Sequence, residues 1–196
     1  MKEMRVKLTM TEPILGTASN DKEIHRNFIA SHAQDALTME EEVEAVGVDE
    51  MVERGMTVFP RNEEGKPIFW DYQFKGFCKD ACGMLRKVSG THSSKLKAYK
   101  KEIDGLIFVR ERKIPICYSG EMQTLQRPLR AQTAQGERVS LANSEMIAAG
   151  ATLEFTIVCM KDDLMELVEE WLEYGALRGL GQWRNAGFGR FSWEKL

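Results

Sequence analysis

At 196 residues, with 43% hydrophobic and 29% charged side chains, the chain has the composition of a folded globular protein rather than a disordered one. No apolar run reaches the roughly 20 residues that span a bilayer, and no signal-peptide pattern opens the sequence, so a cytoplasmic protein without membrane contact is expected. The formal net charge of −3 is unevenly spread: Met39–Arg54 holds seven acidic residues and one basic, and the rest has 26 basic against 23 acidic, so charge alone neither supports nor excludes a polyanionic partner.

Arg5–Thr11 alternates strictly, with Val6, Leu8 and Met10 on one side, as a half-buried strand does. Gly16–Asp21 reads as a loop, with Asp21 as N-cap for a helical stripe over Lys22–Leu37 formed by Ile24, Phe28, Ile29, Ala33, Ala36 and Leu37. The acidic stretch that follows is a second helix or a solvated insertion, bounded at 38–55. Short strands follow at Met56–Phe59 and Pro67–Tyr72, with Asn62–Gly65 as the turn between them. Phe74–Val88 carries Phe74, Phe77, Cys78, Ala81, Leu85 and Val88 on one helical face, with Lys75, Lys79, Arg86 and Lys87 mostly off it.

Ser89–Ser94 reads as a flexible loop containing a solvated His92, made basic by Lys95, Lys97, Lys100 and Lys101 beyond it. Strands are expected at Gly105–Val109 and Ile114–Tyr118, then an extended hairpin or loop over Met122–Ser144 with Arg127, Arg130 and Arg138. Thr152–Cys159 alternates again. A helix starts after Asp162 with the stripe Leu164, Leu167, Val168, Trp171 and Leu172, and Gly175 is expected to stop it. Phe188–Trp193 supplies the closing strand. The four cysteines fit buried free thiols better than zinc, since the C-x3-C of Cys78 and Cys82 has no second pair. No metal or cofactor is expected.

The sharpest local signal is Gly179–Phe191. Gly179, Gly181, Gly187 and Gly189 flank Trp183, Arg184 and Asn185, with Arg190 just beyond. Glycine permits positive φ and close backbone approach, so such a loop can turn amides toward a phosphate. Arg184 and Arg190 supply guanidinium forks, and Trp183 a stacking surface for a base. The plain alternative is a tight connection between helix and edge strand. A dinucleotide fingerprint is excluded by the glycine order and the absence of a preceding strand, and a P-loop by the missing Lys-Ser/Thr.

This segment resembles the C-terminal glycine-rich loop of the RAMP superfamily, the repeat-associated proteins of CRISPR systems. Phe69–Leu85, with its Lys75-Gly76 step and Leu85-Arg86 ending, is similar to the strand-to-helix junction of the backbone subunits of Cascade-like and type III effector complexes. Ser144–Val158 and Val6–Gly16 are similar to further strands of that family. Tyr72-Gln73-Phe74 departs from the family's Ser-Ser or Gly-Ser before the Lys-Gly step.

The resemblance implies an α+β fold, a ferredoxin-like or RRM-like antiparallel sheet with helices on one face. It would occupy 1–196 as a single domain with the acidic insertion 38–55 and a thumb-like insertion within 110–147. It implies a guide-RNA partner held by the glycine loop, by Lys75, Lys79 and Arg86 of the helix, and by Arg127 and Arg130 of the thumb. Like subunits, or other CRISPR effector subunits, would pack alongside.

Two cleavage chemistries occur near that family. A processing endoribonuclease needs a histidine near the first helix, for which His25 and His32 stand two helical turns apart. A metal-assisted cut of target RNA needs an Asp after the first strand, and Asp21, also a natural N-cap, occupies that loop. A third reading is a non-enzymatic mimic that binds an effector complex through its acidic segment.

Overall fold

The computed structural model describes residues 1–20, 55–133 and 136–196, with the backbone alone at 129–133 and 136–141. The elements used below are β1 (Lys2–Met10), β2 (Ile14–Leu15), β3 (Ala18–Ser19), β4 (Thr57–Val58), β5 (Ile68–Trp70) and α1 (Asp71–Leu85). They continue with α2 (Tyr99–Leu106), β6 (Ile107–Val109), β7 (Lys113–Cys117), β8 (Gln123–Thr133), β9 (Gly136–Ile147), β10 (Thr152–Cys159), α3 (Asp163–Arg178) and β11 (Phe191–Lys195).

The alternating segments at the two ends of the sequence meet. β1 runs antiparallel to β10, with Met4 opposite Ile157, Val6 opposite Phe155 and Leu8 opposite Leu153. β11 closes the other side of β1, with Met10 opposite Phe191. The main sheet has the order β11-β1-β10-β7-β5, and β6 also pairs with β10. Reduced to its central strands, this is the β11-β1-β10-β6/β7 arrangement of a βαββαβ unit, the ferredoxin-like or RRM-like pattern that the sequence implies. A second sheet, β2-β9-β4-β3 with β8 on β9, stands beside it.

One face of the main sheet is apolar because alternation leaves Met4, Val6, Leu8 and Met10 of β1, and Leu153, Phe155 and Ile157 of β10, all buried on one side. α1 covers it with Phe74, Phe77, Cys78, Ala81 and Cys82, and α3 with Leu164, Leu167, Val168, Trp171 and Leu172. Each large side chain so buried contributes about 1.5–3 kcal/mol. The opposite face is polar, with ion pairs from Arg5 to Glu154 at 3.3 Å and from Lys7 to Glu194 at 3.4 Å.

Several local expectations are corrected. α1 starts at Asp71, not Phe74, and cuts short the strand expected to reach Tyr72, because the Gln73 side chain accepts the Trp70 amide at 2.7 Å and caps the helix. It ends at Leu85 rather than Val88. Gly105 and Leu106 belong to α2, a helix the lysine-rich spacing did not announce. Gly175 does not stop α3: the helix runs on to Arg178 and is capped by Gly179 at φ 78°. Gly175 is needed instead because a Cβ there would lie 2.0 Å from the Phe191 ring.

Asp162 precedes α3 without a side-chain capping bond and faces Lys2 at 3.8 Å. The Ser89–Ser94 segment is tied down: Glu170 accepts the His92 and Ser93 amides at 2.7 and 3.0 Å, and Trp171 donates to the Ser93 hydroxyl at 2.9 Å. His92 itself is exposed, its Nδ1 3.5 Å from Glu166. Cys78, Cys82 and Cys159 are buried free thiols, whereas Cys117 falls on the outward side of β7 and is exposed. Among the described residues no helix is long and apolar enough to cross a membrane.

Candidate nucleic-acid interface

The loop between α3 and β11 is closed by its glycines. The Gly179 amide bonds Gly175 O at 2.9 Å, and the Leu180 amide bonds Gly189 O at 2.8 Å. A Cβ on Gly189 would lie 1.9 Å from Leu180 O, so the two loop ends touch backbone to backbone. The Gly189 amide donates to Pro13 O at 2.8 Å, which fastens the neck to the segment after β1. Leu180 is buried beneath. Beyond the neck, Arg184–Ala186 forms one 3-10 turn, its end closed by the Gly187 amide on Arg184 O at 2.9 Å. Five of the loop's amides, those of Gly179, Leu180, Ala186, Gly187 and Gly189, are therefore spent inside the protein.

Three bolts hold the loop. Asp80 of α1 accepts Arg178 Nε at 2.9 Å and Arg184 Nη1 at 2.8 Å, while Arg178 Nη1 donates to Asn185 Oδ1 at 2.7 Å. Burial pushes the Asp80 carboxyl up, but the two guanidinium groups outweigh this and hold it below its ordinary value. Gln182 Nε2 lies within hydrogen-bond reach of Gly16 O, of Thr57 Oγ1 at 2.6 Å and of Ser144 Oγ at 3.0 Å, so its two protons are shared among three acceptors and join the loop to β4 and β9. The third bolt is Trp183, at φ 54° the one non-glycine residue with positive φ among those described. Its ring stacks on Phe188 at 5.1 Å between centroids, and the Arg127 guanidinium lies 4.4 Å over it.

Arg127 reaches the loop because β8 and β9 form the long hairpin expected within Met122–Ser144, paired from Gln123–Met146 to Thr133–Gly136. In an antiparallel ladder every second pair shares a face, so Arg127–Ala142 and Leu125–Ser144 point the same way, the way Ser144 meets Gln182. Arg127 is only 9% exposed, and its Nε and Nη1 have no hydrogen-bond partner among the described residues. Burial pulls its guanidinium below the usual Arg range.

Between the loop, α1 and the segment after β2 lies a cavity of about 290 Å³. Thr17, Gln73, Gly76 and Arg184 rim it over Phe69, Phe77 and Leu180. Gln73, Gly76, Phe77 and Asp80 make one stripe of α1 and face this side. Lys75 and Lys79 fall on another: Lys75 Nζ donates to Asp104 O at 3.1 Å and sits 4.4 Å from the Phe108 centroid, and Lys79 pairs with Asp104 at 2.5 Å. Arg86 lies 5.2 Å over the Tyr99 ring. The structure thus gathers Gly179–Arg190 with Arg127 and separates Lys75, Lys79 and Arg86 from them.

Arg190 is exposed, with no ion pair among the described residues. Arg130 and Arg138 lie on the hairpin with backbone alone described. His25, His32, Asp21 and the acidic 38–55 segment lie outside the described residues. Among the described residues, no cluster of three His, Cys, Asp or Glu side chains is placed to hold a metal ion.

Asp80, Arg178, Gln182 and Thr57 belong to the site and went unread in the sequence. Only Asp80 left a trace there, as the i+7 member of the Gln73–Gly76–Phe77 stripe.

The fold and site together define an α+β protein of ferredoxin-like class with a hairpin bolted to a glycine-rich C-terminal loop. No family model and no curated protein matches the chain. Among solved structures it is similar to a chain of the type III-B Cmr-beta complex, in a cryo-EM structure of that complex bound to cognate target RNA. The TM-score is 0.56 at 13% identity, over 99% of this chain and 60% of that one, so this chain spans about 60% of its neighbour's length.

Proposed function

We propose that the chain is an RNA-binding subunit of a CRISPR effector assembly. It holds the backbone of a guide RNA at the glycine-rich loop and assembles beside like subunits, with the β8–β9 hairpin as its thumb. The observation that carries this reading is the loop itself: four glycines at positive φ hold Trp183, Asn185 and Arg190 out at the surface, at the root of a long hairpin. The near full-length likeness in fold to a chain of an RNA-bound complex supports it. Lys75, Lys79 and Arg86 are assigned a flanking role, since Asp104 already engages the two lysines.

The test is fluorescence anisotropy with a labelled single-stranded RNA across a salt series. Binding is expected to weaken steeply with salt. The Arg184→Ala/Arg190→Ala double variant is expected to weaken it for every sequence tried, with Arg190→Ala alone giving most of the loss, because Arg184 is already paired with Asp80. Unchanged affinity in the double variant would remove the loop from the interface. A high 260/280 nm absorbance ratio in protein purified at low salt is the companion expectation.

A further inference from the structure

The sequence suggests Trp183 as a platform for a base, yet its ring already carries Phe188 at 5.1 Å and the Arg127 guanidinium at 4.4 Å. An aromatic surface that does stand open lies at the junction of β5 and α1. Trp70 ends β5 and Tyr72 falls in the first turn of α1, and their rings stack with centroids 6.0 Å apart and planes 15° apart. Tyr72 is 58% exposed. It belongs to the tripeptide at which the chain departs from the family pattern, so the resemblance assigns it no role.

A cation stands beside this stack. The Arg112 guanidinium lies 5.8 Å from the Trp70 centroid, is exposed, and makes no ion pair among the described residues. Burial and Asp71 push the Tyr72 phenol up while Arg112 pulls against them, which puts that guanidinium within electrostatic reach of Tyr72 too. Lys113, 5.9 Å from the Trp70 centroid, is by contrast committed to Glu63. Tyr72 and Gly76 are one helical turn apart on α1, and Gly76 rims the cavity beside the glycine loop, so the open ring continues that surface. The surroundings do not suit an apolar protein contact. Gln73, Arg112 and Lys113 are polar, and Phe108, exposed on β6, carries Lys75 at 4.4 Å.

We propose that Tyr72, backed by Trp70, is a base-stacking platform for single-stranded RNA, and that Arg112 beside it takes a phosphate of the same strand. The assignment rests on the RNA-binding reading for its strand, and adds a place where a base is held rather than the backbone alone. Every base has a π face, so the platform contributes affinity without sequence preference.

Fluorescence anisotropy across a salt series, with a labelled single-stranded RNA and with an abasic strand of the same length, separates ring from charge. Tyr72→Ala is expected to lose about 10-fold in RNA affinity, within the range of one base–aromatic stack, at an unchanged slope of log K against log salt. Tyr72→Phe should bind as wild type does. Tyr72→Leu, which keeps apolar bulk on Trp70 without a π face, should lose as much as Tyr72→Ala. On the abasic strand wild type and Tyr72→Ala should bind alike. Arg112→Gln should lower the slope by about 0.7, so between 50 and 200 mM salt wild type should lose roughly 2.5-fold more affinity than the variant. An unchanged slope there removes Arg112 from the contact. An equal loss on both strands, or no loss in Tyr72→Ala and Tyr72→Leu, overturns the platform and leaves the glycine-loop reading standing.

The platform is also probed without a strand. Saturation-transfer NMR with adenosine and uridine 5′-monophosphates should show transfer to the base protons in wild type and lose it in Tyr72→Ala. If wild type ignores RNA yet shows this Tyr72-dependent transfer, the RNA-holding reading fails and the platform stands as a nucleotide site. Neither transfer nor RNA binding would sink both. Should Tyr72→Ala change self-association of the RNA-free protein in sedimentation while RNA affinity stays the same, the ring is a protein contact and the proposal fails.

Discussion

Asp80 illustrates how one side chain sets the posture of the loop. Its carboxylate takes a donor from α3's last turn and another from the loop, so it fixes the exit angle of the chain after Arg178. Asp80→Asn is expected to cost about 1 kcal/mol, since the group is partly solvated and screened; under the proposed RNA-binding role it should also lower RNA affinity as the loop loosens. The pH dependence follows from the direction of its shift. Its folded pKa lies below the ordinary 3.8, so between the two values the unfolded chain binds the extra proton. Asp80's contribution is thus complete above about pH 4 and disappears as pH falls through the folded value. Denaturant midpoints measured from pH 6 downward should show a shallower acid loss in Asp80→Asn than in wild type. At the neck, Gly189→Ala must place a methyl against Leu180 O at positive φ, and a loss of about 2–3 kcal/mol in denaturant unfolding is expected.

At the scale of elements, α3 and β11 are fitted to each other through one missing side chain. Gly175 weakens the helix intrinsically, by about 1 kcal/mol relative to alanine, yet Phe191 fills the space its Cβ would take. Gly175→Ala should therefore destabilise the protein by about 1–3 kcal/mol despite better helix propensity, and Phe191→Leu in the same chain should recover part of that loss. A double-mutant cycle in denaturant checks it. The misreading of Gly175 as a helix stop has the same origin, because a glycine inside a stripe and a glycine at a cap look alike until the strand that packs on it is known. Conversely, β10 was legible to the residue and β1 in its phase, although β1 was read from Arg5 to Thr11 and runs from Lys2 to Met10. Each has one buried and one solvated face, and that asymmetry writes a period of two directly into Val6–Leu8–Met10 and Leu153–Phe155–Ile157. α2 was not legible, because only Ile103 of its eight residues is buried and its lysines read as plain surface.

For the whole molecule, assembly along RNA is the consequence open to measurement. If copies pack side by side on one guide, sedimentation should show more protein bound per strand as a single-stranded RNA is lengthened, and nuclease digestion should disperse the particles. A stoichiometry of one at every length would contradict assembly while leaving RNA binding intact. The closing strand, read over Phe188–Trp193, falls at Phe191–Lys195, and Val88, read into the α1 stripe, is exposed. By itself the sequence determined the α+β alternation, the central strands β1 and β10, the burial stripe of α3 and that of α1 as far as Ala81, and the location of the glycine loop. These follow from local periodicity and from backbone freedom, which a chain carries wherever it folds. Only the tertiary structure decided where each cation points: Lys79 to Asp104, Arg184 to Asp80, Arg127 to the Trp183 ring. Asp80 and Arg184 are 104 residues apart in sequence, and no spacing rule reaches that far. A charge's partner is set by which surfaces the core brings face to face, and that is known once the sheet has closed.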